Sequence, residues 1–344
     1  MSTQSNPLTI DGSQGEGGGQ MLRTSLALSL VTKQPFRMVN VRARRPKPGL
    51  MRQHLTSLLA AKSVSNAEVT GAAVGSSELS FRPFDVRGGA YTFAVGTAGS
   101  ATLVLQTVLP ALMLVSDRSS LVLEGGTHNS HAPPFDFLHR AYLSILGRMG
   151  PCVEASLDKP GFYPAGGGRF RVSVDPRPAL RQLALKDRGA LLSHHGTAKV
   201  ASLPASIAER ELRTLRDRLG WNRSCFQHER ITNADGPGNV VVVEIESQHV
   251  TEVFTGFGER GVRAEIVAQR VAEEVKEYLA SEAAVGIHLA DQLLLPFALA
   301  GGGSFRTLEP SLHTRTQADV IRRFLGVETR MDREDERTWR VEVG

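Results

Sequence analysis

The 344-residue sequence contains only two cysteines, Cys152 and Cys225, and neither has a second Cys at metal-site spacing. That scarcity excludes a disulfide framework and a structural zinc site, and it predicts two buried thiols. No apolar run approaches the roughly 20 residues that a membrane span needs. The opening MSTQSNP is polar and lacks the hydrophobic stretch of a secretion signal, so a soluble, cytoplasmic chain is expected. A third absence is local. Asp and Glu are missing from Gly17 to Ala67, whereas Arg23, Lys33, Arg37, Arg42, Arg44, Arg45, Lys47, Arg52 and Lys62 all lie there. Most of these are arginines, whose planar fork binds phosphate oxygens bidentately, so a phosphate-rich ligand is implied beside this segment. The net charge of +5 fits a nucleic-acid partner.

What is present is an ordinary 41% hydrophobic content arranged as alternating strands and helices. Leu8 to Asp11 reads as a strand, GSQGEGGGQ as a loop, and Met21 to Val31 as a helix; FRMVNV, a basic loop, a helix from near Leu50 and two short strands follow. The same order recurs at an offset of about 84 residues. There the strand Tyr91 to Val95, loop GTAGS, helix Ala101 to Leu114, strand SLVLEG, loop GTHNSHAPP and helix Phe135 to Met149 succeed one another. A third copy is legible only in its later elements: helix Ile287 to Leu299, strand SFRTL, loop EPSLHTRTQ, helix Ala318 to Leu325 and two terminal strands. Its leading strand is expected within Phe170 to Val174. The predicted class is α/β (α+β): three βαβαββ-type units form a large domain over 1–182 and 281–344. A small α/β domain, 183–280, is inserted in the third unit. The insert reads as strand Thr197 to Leu203, helix Ile207 to Leu219, strands Val240 to Glu246 and Val250 to Phe254, and the amphipathic helix Val262 to Leu279, which either binds RNA or packs on its own strands.

Three segments can carry chemistry. The loop from Gly12 to Gln20 holds five glycines between a strand and a helix, an arrangement that lets backbone N–H groups approach phosphate. It is neither a Walker A sequence nor a dinucleotide fingerprint. Glu16 is a lone carboxylate in that loop, suited to a Mg²⁺ ion on a nucleoside triphosphate or to a solvated, helix-capping role. VRARRPKPGLMRQH packs Arg42, Arg44, Arg45, Lys47, Arg52 and His54 around two prolines that pre-shape the loop for phosphate or RNA backbone. Among ten histidines, His128, His131, His194, His195 and His313 fall in polar loop contexts. His128 and His131 suggest exposed side chains before metal or acid–base work. His313 in LEPSLHTRTQADVIRR is one candidate nucleophile among them, since a neutral imidazole offers a lone pair near pH 7.

Eight segments in order, GSQGEGGGQMLR, RPKPGLMRQHL, GTAGSATLVLQTVLPAL, EGGTHNSHAPPFDF, GFYPAGGGRF, DGPGNVVVVEIES, HLADQLLLPFALAGGG and EPSLHTRT, resemble the RNA 3′-terminal phosphate cyclase family over essentially the whole chain. The resemblance implies three such units with an inserted domain. It also implies ATP-dependent conversion of an RNA 3′-phosphate to a 2′,3′-cyclic phosphate through a histidine–AMP intermediate. His313 matches the nucleophile and Glu16 the glutamate that binds Mg²⁺ or Mn²⁺. Arg23, Arg42, Arg45, Gln53 and Gln106 match positions that hold phosphates of ATP or the RNA end, with His54 beside them. Asp291 and Gln292 fall in the nucleotide pocket, and Pro133 and Phe137 on its adenine side. His288 stands where the family often has Tyr, leaving less area to stack on adenine, and Arg44 matches no family role. A homodimer is compatible with the family.

Two other readings share this architecture. A non-catalytic cyclase-like protein of ribosome assembly would lack the nucleophile and much of the phosphate set, which this chain keeps. An enolpyruvyl transferase also binds anionic substrates with arginines, and fold likeness alone does not separate it.

Overall fold

The computed structural model describes residues 6–344. Its first sheet comprises β1 (Leu8–Asp11), β2 (Phe36–Val39), β3 (Glu68–Thr70) and β4 (Leu79–Arg82) in the order β1-β2-β4-β3, with α1 (Gly19–Thr32) and α2 (Arg52–Ser65) between its strands. Next come β5 (Ala90–Ala94), α3 (Ala101–Leu112), β6 (Ser119–Gly125), a helical run from Phe135 to Met149, β7 (Cys152–Lys159) and β8 (Gly168–Asp175). Their sheet has the order β5-β6-β8-β7, which is the first topology again. In the helical run, α4 (Phe135–Phe137) passes through a π-helical turn, Leu138–Tyr142, into α5 (Leu143–Met149).

The third sheet of this kind joins β9 (Leu183–Leu185) to three strands far along the chain. β9 runs parallel to β14 (Gly303–Thr307), as β1 does to β2 and β5 to β6; β16 (Trp339–Val343) and β15 (Thr329–Arg333) complete it in antiparallel fashion. Its two helices are α8 (Ile287–Leu299) and α9 (Leu312–Leu325). The expectation of a leading strand within Phe170 to Val174 is therefore wrong. Those residues belong to β8 and pair with β6 and β7. The actual leader has three residues, too few to display alternation, and at Leu183 it falls inside the span expected for the insert.

Between β9 and α8 lies a fourth sheet, β11-β10-β12-β13, formed by β10 (Leu191–Ala201), β11 (Phe226–Ile231), β12 (Gly238–Ser247) and β13 (Thr251–Phe257), with α6 (Ala205–Leu219) and α7 (Ala264–Leu279). Strand β11 went unread in the sequence because four of its six residues are exposed and it lies at the sheet edge. α7 buries Val267, Ala268, Val271, Ala272, Val275 and Tyr278 on its own unit's core, so the packing alternative holds for that helix.

One apolar core runs through the three repeated sheets and their helices, and α1 packs on both α3 and α9. Cys152 is exposed and Cys225 half-buried, against the expectation of buried thiols. Cys152 opens edge strand β7, whose alternate side chains face solvent. Among the described residues no helix is long and apolar enough to cross a membrane.

Candidate active site

A cavity of about 610 Å³ opens where α1, α2, α3, α8 and α9 meet. The first two turns of α1, α2, α8 and α9 contribute Arg23, His54, Asp291 and His313 respectively to its wall. Helix N-termini carry unpaired N–H groups and partial positive charge, so four of them around one space favour an anion before any side chain is counted.

The glycine loop is shaped by what approaches it. Gly15 and Gly17 adopt φ of +53° and +61°, the left-handed region open to glycine. A Cβ on Gly18 would collide with Glu16 and Arg45, and one on Gly19 with His54 and Arg23. The bare backbone thus admits a carboxylate, two guanidiniums and an imidazole into one small volume. Glu16 pairs with Arg45 through Oε1, and its backbone N–H donates to Thr316 Oγ1 of α9 at 3.1 Å. Its Oε2 is buried, lies 3.0 Å from His313 Nδ1 and has no hydrogen bond.

The basic loop holds itself in place. Arg42, with φ of +54°, donates through Nη1 to the carbonyls of Lys47 and Gly49 at 2.6 and 2.9 Å. Burial pushes Arg23 down from the ordinary 12.5 to about 10, so it remains a cation at neutral pH. His54 behaves differently: burial first, then the charges of Arg23 and Arg42, push its imidazole down to about 3. Its Nδ1 accepts the Met51 N–H at 3.2 Å, so the proton of this neutral ring sits on Nε2 and can be donated into the cavity. Gln53 turns its Oε1 to the Ser100 N–H at 2.8 Å, and Gln106 donates to Gln292 at 2.5 Å, joining α3 to α8.

His313 was expected in a loop ahead of a helix beginning at Ala318. The structure starts α9 at Leu312, with Ser311 as N-cap accepting the Thr314 N–H, and His313 in its first turn. That turn faces the cavity, so it carries polar residues and shows no apolar periodicity. The ring's tautomer follows from its neighbours. Gln20 Nε2 donates to Gln317 Oε1 at 3.1 Å, which leaves Gln20 Oε1, 2.6 Å from His313 Nδ1, to accept. Nδ1 therefore bears the proton and Nε2 the lone pair, the reverse of His54. Burial, helped by Arg23 and Arg45 and opposed by Asp291, pushes the imidazole below its ordinary 6.5 and keeps it neutral.

Asp291 is buried and accepts from Ser311 Oγ at 2.7 Å and from Thr314 Oγ1, tying α8 to the start of α9. Burial pushes its carboxyl up against these hydrogen bonds, while burial pushes the adjacent His288 down. Pro133 and Phe137 form another part of the wall; the Pro133 carbonyl accepts Thr102 Oγ1 at 2.7 Å.

All thirteen residues matched to the family's site line this one cavity; Arg44, Lys47 and Arg52 of the basic loop do not. Sequence reading missed Gln20 and Gln317, although both lie in or beside quoted motifs, because nothing in a linear pattern marks an amide as a tautomer lock. It also missed Val253, Thr255 and Phe257 of β13, by which the inserted unit completes the wall. His128 is not an exposed loop side chain. It is buried, stacks on Phe162 at 5.2 Å and bonds Asp136 at 2.8 Å, and Asp136 in turn accepts from Lys199 of β10 at 2.7 Å. Among the described residues no three His, Cys, Asp or Glu side chains gather as a metal cage.

Comparison with known proteins adds a family to this geometry. Residues 14–331 match the family model described as RNA 3′-terminal phosphate cyclase. A protein of that name from Koribacter versatilis (strain Ellin345) is 51% identical over 330 residues, covering 96% of this chain and 93% of the relative. Its namesake from Ectopseudomonas mendocina (strain ymp) is 49% identical over 327 residues, or 95% and 96% of the two chains. That of Ralstonia nicotianae (strain ATCC BAA-1114 / GMI1000) is 50% identical over 338 residues, or 98% and 97%.

Proposed function

The chain belongs to the RNA 3′-terminal phosphate cyclase family, and from that premise we propose that it uses ATP to convert an RNA 3′-terminal phosphate into a 2′,3′-cyclic phosphate, with AMP carried on His313. The observation that carries the reading is the His313 tautomer: a neutral ring with its proton committed to Gln20 keeps the Nε2 lone pair free, beside three arginines.

In the first step Nε2 attacks the α-phosphorus of ATP, a nitrogen–phosphorus bond forms, and pyrophosphate leaves with the electrons of the broken P–O bond. The ring gains positive charge as it does so, and Gln20 Oε1 and the Glu16 carboxylate beside Nδ1 stabilise it. An oxygen of the RNA 3′-phosphate then attacks the AMP phosphorus and returns the electron pair to Nε2. The neighbouring 2′-hydroxyl finally forms a bond to the activated 3′-phosphorus, releases its proton to solvent and expels AMP with the electrons of the broken P–O bond. One ATP becomes AMP and pyrophosphate for each ring closed. Arg23, Arg42 and Arg45 supply the positive field for the phosphates and His54 Nε2–H a neutral donor. Cation and helix N-termini together offset the charge that moves between oxygens.

Glu16 Oε2 fits a Mg²⁺ or Mn²⁺ ligand: it is a buried carboxylate oxygen without a hydrogen bond. A cation bound through one carboxylate and substrate phosphates needs no protein cage, which agrees with the absence of one among the described residues. Its chemistry when bound would be neutralisation of phosphate charge.

The test is incubation with Mg²⁺ and ATP labelled at the α-phosphate, followed by denaturing separation. A label lost in acid, stable in alkali and absent from His313→Ala supports the reading. An unlabelled chain that still binds RNA favours the non-catalytic alternative.

A further inference from the structure

Outside the set that faces the phosphates, one buried carboxylate joins the inserted unit to the helix carrying Asp291. Glu252 opens the part of β13 that reaches the cavity wall at Val253, and it is buried. Its Oε2 accepts the Gly286 N–H at 2.6 Å, while Oε1 accepts the Val253 N–H at 3.3 Å. Gly286 is the N-cap of α8 and has no side chain with which to cap the helix. Glu252 thus satisfies the N-cap's own N–H, one of the orphan donors at the start of α8, from a different unit of the fold, and its carboxyl group sits at the positive end of that helix.

A continuous line of contacts leads from this cap to the reacting ring. One turn beyond Gly286, α8 presents His288 and Asp291. Asp291 holds Ser311 and Thr314, which flank His313 in the first turn of α9. Gln20 then fixes the far side of the ring. The arginines and His54 stand on α1, α2 and the loop before α2, so nothing in this line supports them directly.

We propose that Glu252 is a positioning residue: by capping α8 it sets the place of Asp291 and thereby the attack geometry of His313, which gives the inserted unit a role in the first chemical step. The inference rests on the AMP-transfer reading above. Burial pushes the Glu252 carboxyl up to about 7, opposed by its two N–H donors. The segment before α8 has its own anchor, since the Ala284 and Val285 N–H groups bind the Arg306 carbonyl at 3.0 and 3.1 Å. Loss of the cap therefore loosens the first turn of α8 without detaching it.

The experiment measures single-turnover AMP labelling of the full chain with Mg²⁺ against ATP concentration. Glu252→Ala should slow labelling at saturating ATP by about 10- to 100-fold, the size of effect that a small misplacement of a reacting group produces. Half-saturating ATP should move by less than about 3-fold, because the phosphate-binding wall is intact. Glu252→Gln should recover most of the rate, as its amide oxygen still accepts the Gly286 N–H. Glu211→Gln is the control: Glu211 is a second buried carboxylate of the insert, bonded to Asn239 and not to α8, so its loss should alter stability but not labelling. A wild-type rate in Glu252→Ala, or an equal slowing in Glu211→Gln, overturns the cap while the cyclase reading stands. Should Glu252→Ala not fold, Glu252→Asp decides, since its shorter side chain withdraws the carboxylate: several-fold slower labelling at unmoved half-saturation supports the cap, and an unchanged rate overturns it. Wild-type protein that takes no label removes the AMP-transfer reading and the cap with it.

Discussion

The two walls of the cavity are built in different ways. The wall from α1 and α2 is held by backbone: Arg42 bonds carbonyls of its own loop, and His54 takes the N–H of Met51 three residues away. The opposite wall, from α8 and α9, is held by side chains far apart in sequence: Asp291 to Ser311 and Thr314, His313 to Gln20, Gln106 to Gln292. Each wall carries a neutral histidine, but the backbone bond leaves His54 an Nε2–H to donate and the side-chain bond leaves His313 a free Nε2 lone pair. One residue type thus acquires opposite hydrogen-bonding character from which ring nitrogen its scaffold occupies.

The largest expected effect separates the two histidines outright. His313→Ala should reduce AMP labelling to background, because no other group replaces its lone pair, whereas His54→Asn, which retains an N–H donor, should keep labelling within about 100-fold of wild type. Equal loss in both would erase the distinction. Next come the cations. Arg23→Ala or Arg45→Ala should slow labelling by about 100-fold, in line with removal of one charge-stabilising donor.

The same variants sharpen the pH dependence. Protonation destroys the His313 lone pair, so the labelling rate should be flat near neutrality and fall only on the acid side, below the ordinary imidazole range. Since Arg23 and Arg45 help depress that pKa, Arg23→Ala or Arg45→Ala should move the acid limb toward neutral pH. His54 adds no limb, because it stays neutral until about pH 3. An unmoved limb in both arginine variants would remove His313 as the titrating group.

The smallest effect lies away from the walls. Burial raises Glu211 from 4.5 to about 7 in the folded chain. The unfolded chain therefore releases this proton first, and the stability tied to it is complete below 4.5 and lost as pH rises toward and through 7. Glu211→Gln should flatten that decline in chemical denaturation and raise stability at pH 8 by about 1–3 kcal/mol. A decline unchanged in the variant would assign it to other groups.

The backbone-held wall was largely legible in the sequence, because its signals are short-range: a glycine cluster, an acid-free run and two prolines around the arginines. The side-chain-held wall was legible only through resemblance. Composition left His313 one of ten histidines, and the polar first turn of α9 read as loop. In the fold, the first two units showed their order by periodicity, but the third did not, since its three-residue leader β9 is separated from α8 by a whole inserted unit.

By itself the sequence determined the alternation of strands and helices, the glycine loop that admits bulky groups to its backbone, and the concentration of arginine on one segment. These follow from local sterics and from the charge of contiguous residues, which neighbours in sequence settle. Tertiary structure alone decided that four helix N-termini share one cavity, that Gln20 fixes the His313 tautomer, and that Glu252 of the insert caps α8. Each of those depends on groups that are distant along the chain, and a hydrogen bond or a cap exists only once folding brings donor and acceptor within about 3 Å.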